Sequence, residues 1–157
     1  MLIDGATAHR RFGVKNNVKR DDVPKINRHT RFADILDAAQ LVIIDEVSMQ
    51  DRAVLEYIDK LLRYICLSPD LKKLPFAGKV IVLGGDWKQL MPVVPGKGAA
   101  EQANHSFKNS HLFRSALFRS PLSITCIFCF SVISRPQNLL SISGSLTTLK
   151  QISSVTI

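Results

Sequence analysis

Residues 41–49 read LVIIDEVSM. A short continuous apolar run, 41–44, meets two acids, Asp45 and Glu46, and a serine follows. Burying a carboxylate is costly unless it is paired or bound to a metal, so adjacent acids at the end of an apolar run need a reason. The run has the length and texture of a central parallel strand covered on both faces. In that setting Asp45 and Glu46 sit at the carboxyl end of the strand, where open α/β sheets bind ligands. One carboxylate there can hold a magnesium ion, directly or through water, and the next can orient a water against a phosphate. A competing reading makes the two acids the first turn of a helix, near the positive end of its dipole.

The flanks favour the strand. Ser48 and Asp51 have capping-box spacing. Apolar residues recur at Val54, Leu55, Ile58, Leu61, Leu62 and Ile65, a stripe one face wide on a helix that ends before Pro69. Residues 79–83, KVIVL, form a second buried strand closed by Gly84-Gly85, which permit a tight turn and close backbone approach. Strand, helix and strand in this order imply a right-handed crossover and a parallel sheet, hence an α/β fold. Upstream, Leu2-Ile3 look like the end of a buried strand and Gly5 turns the chain. Thr7 then caps a short helix over residues 9–12. Residues 15–31 are polar, basic and contain Pro24, which reads as an irregular arm before a short helix at 30–39.

Composition sets the outer bounds. A chain of 157 residues, 46% of them apolar, fits one domain with a real core. The formal net charge of +8 suits a polyanionic partner, and equally an ordinary positive surface. Residues 1–40 hold eight Lys and Arg against five acids, and 101–157 five against one. Cys126 and Cys129 make a C-x-x-C with no second pair to complete a zinc site, so the pair reads as incidental. No apolar segment behind a basic region marks a signal peptide, and the run at 122–133 is too short to span a bilayer. An intracellular location and no membrane partner are expected. From about Ser120 the texture changes: residues 121–157 carry eight Ser, four Thr and no acid, and no period persists.

Residues 84–96 read GGDWKQLMPVVPG. Asp86 follows the second strand, and Gln89 is a neutral donor and acceptor one short turn later, able to touch a γ-phosphate or its attacking water. Trp87 either anchors this loop by packing or stacks on a base. A buried strand ending in Asp-Glu is the Walker B pattern of nucleotide hydrolases. Together TAHRRFG (7–13), IIDEVSM (43–49) and GGDWKQLMPVVPG (84–96) resemble, in order and spacing, motifs Ia, II and III of superfamily 1 DNA helicases. The likeness is to the petite-integration-frequency family, including the copies carried inside Helitron transposons, and it covers about residues 2–118.

That resemblance implies a RecA-like domain that turns ATP hydrolysis into stepping along single-stranded DNA and duplex unwinding. It makes Asp45 the magnesium-site acid, Glu46 the catalytic base, Gln89 the γ-phosphate sensor and Asp86 a further nucleotide-site residue. Thr7, His9 and Phe12 fall in the motif that resembles a single-strand contact. Arg10 and Arg11 are phosphate partners or a solvated helix face. His9 is equally a structural histidine, and His29, His105 and His111 match no ligand pattern. The implied cofactors are Mg2+ and ATP as substrate; the implied partner is single-stranded DNA, in the nucleus or the mitochondrion. No G-x-x-x-x-G-K-[ST] occurs in the sequence, and that motif supplies the phosphate cradle. The expected architecture is therefore a partial RecA-like P-loop NTPase domain at 1–119, cut at both ends. A non-family tail without regular structure follows at 120–157. A chain so cut is expected to be marginally stable and inactive alone. The alternatives are a non-catalytic fragment that binds single strands or a partner, and a decayed gene remnant.

Overall fold

The computed structural model describes residues 5–85, 92–114 and 131–133. Local signals place the first elements. Helix α1 (Ala8–Phe12) starts at Thr7, whose Oγ1 accepts from the Arg10 amide, and stops at Gly13 with φ +61°. Helix α2 (Arg31–Ala38) starts at Thr30, whose hydroxyl accepts from the Ala33 amide. Strands β1 (Leu41–Ile44) and β2 (Val80–Leu83) pair in parallel, Leu41 opposite Val80 and Ile44 opposite Leu83. Helix α3 (Arg52–Ile65) connects them. Its N-cap is Asp51, whose Oδ1 accepts from the Ala53 amide at 2.8 Å. The capping-box spacing thus resolves in favour of Asp51. Ser48 lies instead in a single 3-10 turn, Val47–Met49, folded against the end of β2.

After β2 the chain forms α4 (Ala99–His105) and α5 (His111–Arg114). Strand β3 (Ser131–Ile133) pairs antiparallel with β2, Ile81 opposite Ile133. The described sheet, ordered β1-β2-β3, is therefore mixed rather than purely parallel. These three residues fall in the segment expected to lack regular structure. Leu2-Ile3, the Cys126–Cys129 pair and the rest of that tail lie outside the described residues. Among the described residues no helix is long and apolar enough to cross a membrane.

Helix α3 is the centre of the core. Leu55, Ile58, Leu61 and Leu62 are fully buried, and so are Phe76 and Phe107, which come from the segments packed on it. The stripe read from the sequence was one face wide, yet Glu56, Tyr57 and Asp59 are buried too. The extra burial arises because the basic arm covers one flank of α3 while residues 75–78 and 106–112 cover the others. Phe107 closes that corner with an edge-to-face contact to Phe113, ring centroids 5.6 Å apart.

Two buried carboxylates on α3 meet cations and donors from those neighbours, although Glu56 Oε2 is held by charge alone, with no hydrogen bond among the described residues. Glu56 accepts from Ser110 Oγ at 2.8 Å, pairs with Arg20 Nε at 3.3 Å and faces His111 Nδ1 at 3.4 Å. Asp59 pairs with Arg63 at 3.0 Å and accepts from the Phe76 amide. Phe76 and Ala77 hold left-handed backbone, φ +51° and +53°, which side-chain-bearing residues adopt only when the surroundings impose it. The Asp59 carboxylate is one such imposition. Replacing it by Leu orphans a buried N–H and is expected to cost about 1–3 kcal/mol in denaturant unfolding. Asp59→Asn keeps an acceptor there and is expected to cost less.

Burial, and secondarily the charge of Asp22, hold the Tyr57 phenol above its ordinary 10.0. A raised folded value means that the native state keeps its proton longer than the unfolded chain. Tyr57 is therefore expected to contribute stability that is complete below pH 10.0 and lost as pH rises through the folded value. Alkaline unfolding curves of the parent and Tyr57→Phe should differ in this window, the variant losing less.

Candidate functional site

Strand β1 delivers Asp45 and Glu46 to its carboxyl end, where both side chains are exposed. Asp45 Oδ1 accepts from the Glu46 amide at 2.9 Å, which leaves its other oxygen outward. Glu46 has φ +54° and ψ +34°, left-handed backbone in a residue with a side chain. That conformation costs about 1–2 kcal/mol, and it turns the chain back so that Val47 and Ser48 pack under the acids. The strand ladder continues through this turn. The Gly84 amide donates to Ile44 O at 2.8 Å, and the Val47 amide donates to Gly84 O at 2.9 Å.

Gly85 completes the clamp. A Cβ on it would lie 3.1 Å from Ser48 N, 3.2 Å from Val47 N and 3.3 Å from Ser48 Oγ. A side chain there would need the Val47–Ser48 backbone to give by a few tenths of an ångström. Ser48 is 3% exposed and its Oγ has no hydrogen-bond partner among the described residues. A left-handed glutamate, a tightly fitted glycine and a buried hydroxyl with no partner among the described residues thus meet at this turn. Sequence reasoning treated Ser48 only as a cap. The usable signal was a serine soon after one strand and a glycine pair just after its neighbour, which parallel pairing brings together.

Neither Asp45 nor Glu46 forms an ion pair among the described residues. Among those residues no group of three or more His, Cys, Asp and Glu is placed to hold a metal. The donor set therefore suits magnesium, which takes one or two protein carboxylates and fills its shell with water and phosphate oxygens. Asp86, Trp87 and Gln89 lie outside the described residues.

The N-terminal candidates divide. Thr7 is exposed, with its hydroxyl engaged in capping α1; Arg10 is exposed; His9 and Arg11 are half-buried. Phe12 is 2% exposed and belongs to the core. Its expected role as a direct nucleic-acid contact is corrected: α1 has five residues, and its buried aromatic ring anchors the helix, so no ring face is open to a base. His105, which matched no ligand pattern, pairs with Asp51 at 2.7 Å, and Arg52 donates to Asn109 O at 3.1 Å. These contacts bind residues 105–109 to the start of α3, just beyond the acid turn.

A parallel strand pair, with two exposed acids after one strand and a glycine pair after the other, fits part of a RecA-like α/β domain. Residues 1–126 match the family model of the PIF1-like helicases, and the chain belongs to that family. It is 29% identical over 93 residues to the ATP-dependent DNA helicase Pif1 of Psychrobacter, and 34% over 95 residues to the ATP-dependent DNA helicase RRM3 of Saccharomyces cerevisiae. These alignments cover 58% and 59% of this chain but only 14% and 13% of the relatives. A Pif1 helicase from Bacteroides, solved with ADP-AlF3 and single-stranded DNA, superposes with a TM-score of 0.57 at 28% identity, covering 69% of this chain and 26% of that one. A Bacteroides Pif1 bound to single-stranded DNA gives 0.55, also at 28%. The chain thus spans well under a third of the relatives and structures it resembles.

The clamp makes opposite predictions for its two small residues. Gly85→Ala crowds the Val47 and Ser48 amides, which must give by a few tenths of an ångström, and is expected to destabilise by about 1–3 kcal/mol. Ser48→Ala removes an unsatisfied buried hydroxyl and is expected to raise stability by up to about 1 kcal/mol. Paired denaturant melts of the two variants check both signs.

Proposed function

We propose that this chain carries the magnesium-and-base portion of the ATP site of a DNA helicase, in which hydrolysis drives movement along single-stranded DNA and duplex unwinding. The observation that carries the reading is the exposed, unpaired Asp45–Glu46 turn clamped to Gly84 and Gly85, in a chain of the PIF1-like helicase family. The Asp45 carboxylate would hold magnesium, which when bound neutralises phosphate charge. Glu46 would take a proton from the attacking water as general base. Gln89 and Asp86, by their place in the motif after β2, would face the γ-phosphate. Arg10 and Arg11, beside Thr7 and His9, would contact the phosphates of a single strand, as the relatives' complexes with single-stranded DNA suggest. Genome-maintenance work in the nucleus or mitochondrion, including repair, recombination and telomere upkeep, and an origin in a Helitron-type element extend the same reading.

The amide-and-lysine phosphate cradle is not among these 157 residues, so hydrolysis requires that cradle to be supplied. The isolated chain is accordingly expected to turn over no ATP. Residues 5–114 substituted for the matching segment of the Bacteroides Pif1 helicase are expected to restore single-strand-stimulated ATPase. In that chimera Glu46→Gln should lower kcat by about 10²–10⁴-fold, the usual range for a general base. Turnover unchanged by Glu46→Gln would refute the assignment.

A further inference from the structure

Residues 5–31 carry eight Lys and Arg against two Asp. Some of these charges are engaged. Arg20 pairs with buried Glu56, and the Arg28 guanidinium lies 4.0 Å from the centre of the Tyr64 ring. One of the two acids is folded inward: Asp22 Oδ2 accepts from the Lys19 amide at 2.8 Å. Lys15, Lys19, Lys25 and Arg31 are exposed and form no ion pair among the described residues.

The arm that carries them is tied down. Lys60 Nζ on α3 donates to the carbonyls of Arg20 and Asp22, and Val14 and Pro24 are buried. Four free cations therefore project from an anchored loop. Among the described residues this surface exposes no Phe, Tyr or Trp ring. Phe12 is in the core, Phe32 is packed against it, and Tyr64 is covered by Arg28. Single strands are held by aromatic stacking together with cations. A duplex keeps its bases stacked inside and offers its phosphates outward.

We infer that the arm at 15–31 docks the phosphate backbone of duplex nucleic acid, at a site distinct from the single-strand contact proposed for residues 7–11. The inference extends the helicase reading but stands on different residues. The test uses the 157-residue chain with a short blunt duplex, the matching single strand, and phosphatidylserine vesicles, titrated across a range of salt. Replacing Lys15, Lys19, Lys25 and Arg31 together by Ala is expected to lower the slope of log K against log salt for the duplex by about three to four, near 0.9 per phosphate released. Lys15→Arg, Lys19→Arg and Lys25→Arg together should preserve that slope, which separates lost charge from a damaged fold. An unchanged duplex slope overturns the inference. So does an equal loss on the single strand, or vesicle binding that depends on the same four residues. Arg10→Ala with Arg11→Ala should weaken single-strand binding and leave the duplex slope intact. If single-strand binding survives that pair while the duplex slope still depends on the arm, the single-strand reading fails and the arm stands.

Discussion

Helix α3 is buried almost all round, and two of its buried side chains are carboxylates. Taking a carboxylate out of water costs several kcal/mol unless its oxygens are met by cations or donors. That demand fixes the neighbours. Glu56 draws Arg20 from the arm on one side and Ser110 with His111 from the later chain on the other. Asp59 draws the Phe76 amide and thereby the left-handed turn that leads into β2. One helix thus fixes where the arm lies, where the chain re-enters after α4, and how β2 begins.

The acid turn follows from the same arrangement. With β2 alongside β1, Gly84 and Gly85 meet residues 44–48, and the ladder bonds across Ile44, Gly84 and Val47 hold the Asp45–Glu46 turn open to solvent. The left-handed Glu46 and the unpartnered Ser48 hydroxyl are local costs. Such costs persist where the surroundings over-determine them and cluster where chemistry is done. The contrast among acids is physical. Glu56 and Asp59 are neutralised within the protein, whereas Asp45 and Glu46 meet no protein cation among the described residues and face outward. A fold of this kind hosts many chemistries, so the functional reading rests on this turn rather than on the sheet.

Much of the fold was legible before any coordinates. Thr7 caps its helix as its position suggests, the helix read at 30–39 forms over Arg31–Ala38, the stripe from Val54 to Ile65 lies on one helix, and both apolar runs are parallel neighbours. These features are local or periodic, and period and capping chemistry are written in adjacent residues. Less was legible where a residue's role depends on what packs over it. Phe12 looked available to a ligand and is core; Ser48 looked like a cap and is a buried orphan; His105 looked idle and binds Asp51.

The sequence by itself determined the order of elements from α1 to β2, the placement of two acids at a strand end and the basic bias of the first forty residues. Strand runs, helix stripes and charge counts need only neighbours in the chain. Tertiary structure alone decided which acids are spent internally and which face solvent, which cations of the arm stay free, and how tightly position 85 meets the turn at Val47 and Ser48. Each of those depends on groups distant in the chain, Arg20 with Glu56, Ser48 with Gly85, Glu56 with Ser110. Burial and pairing are set by what the folded chain brings within a few ångströms, and no local spacing records that.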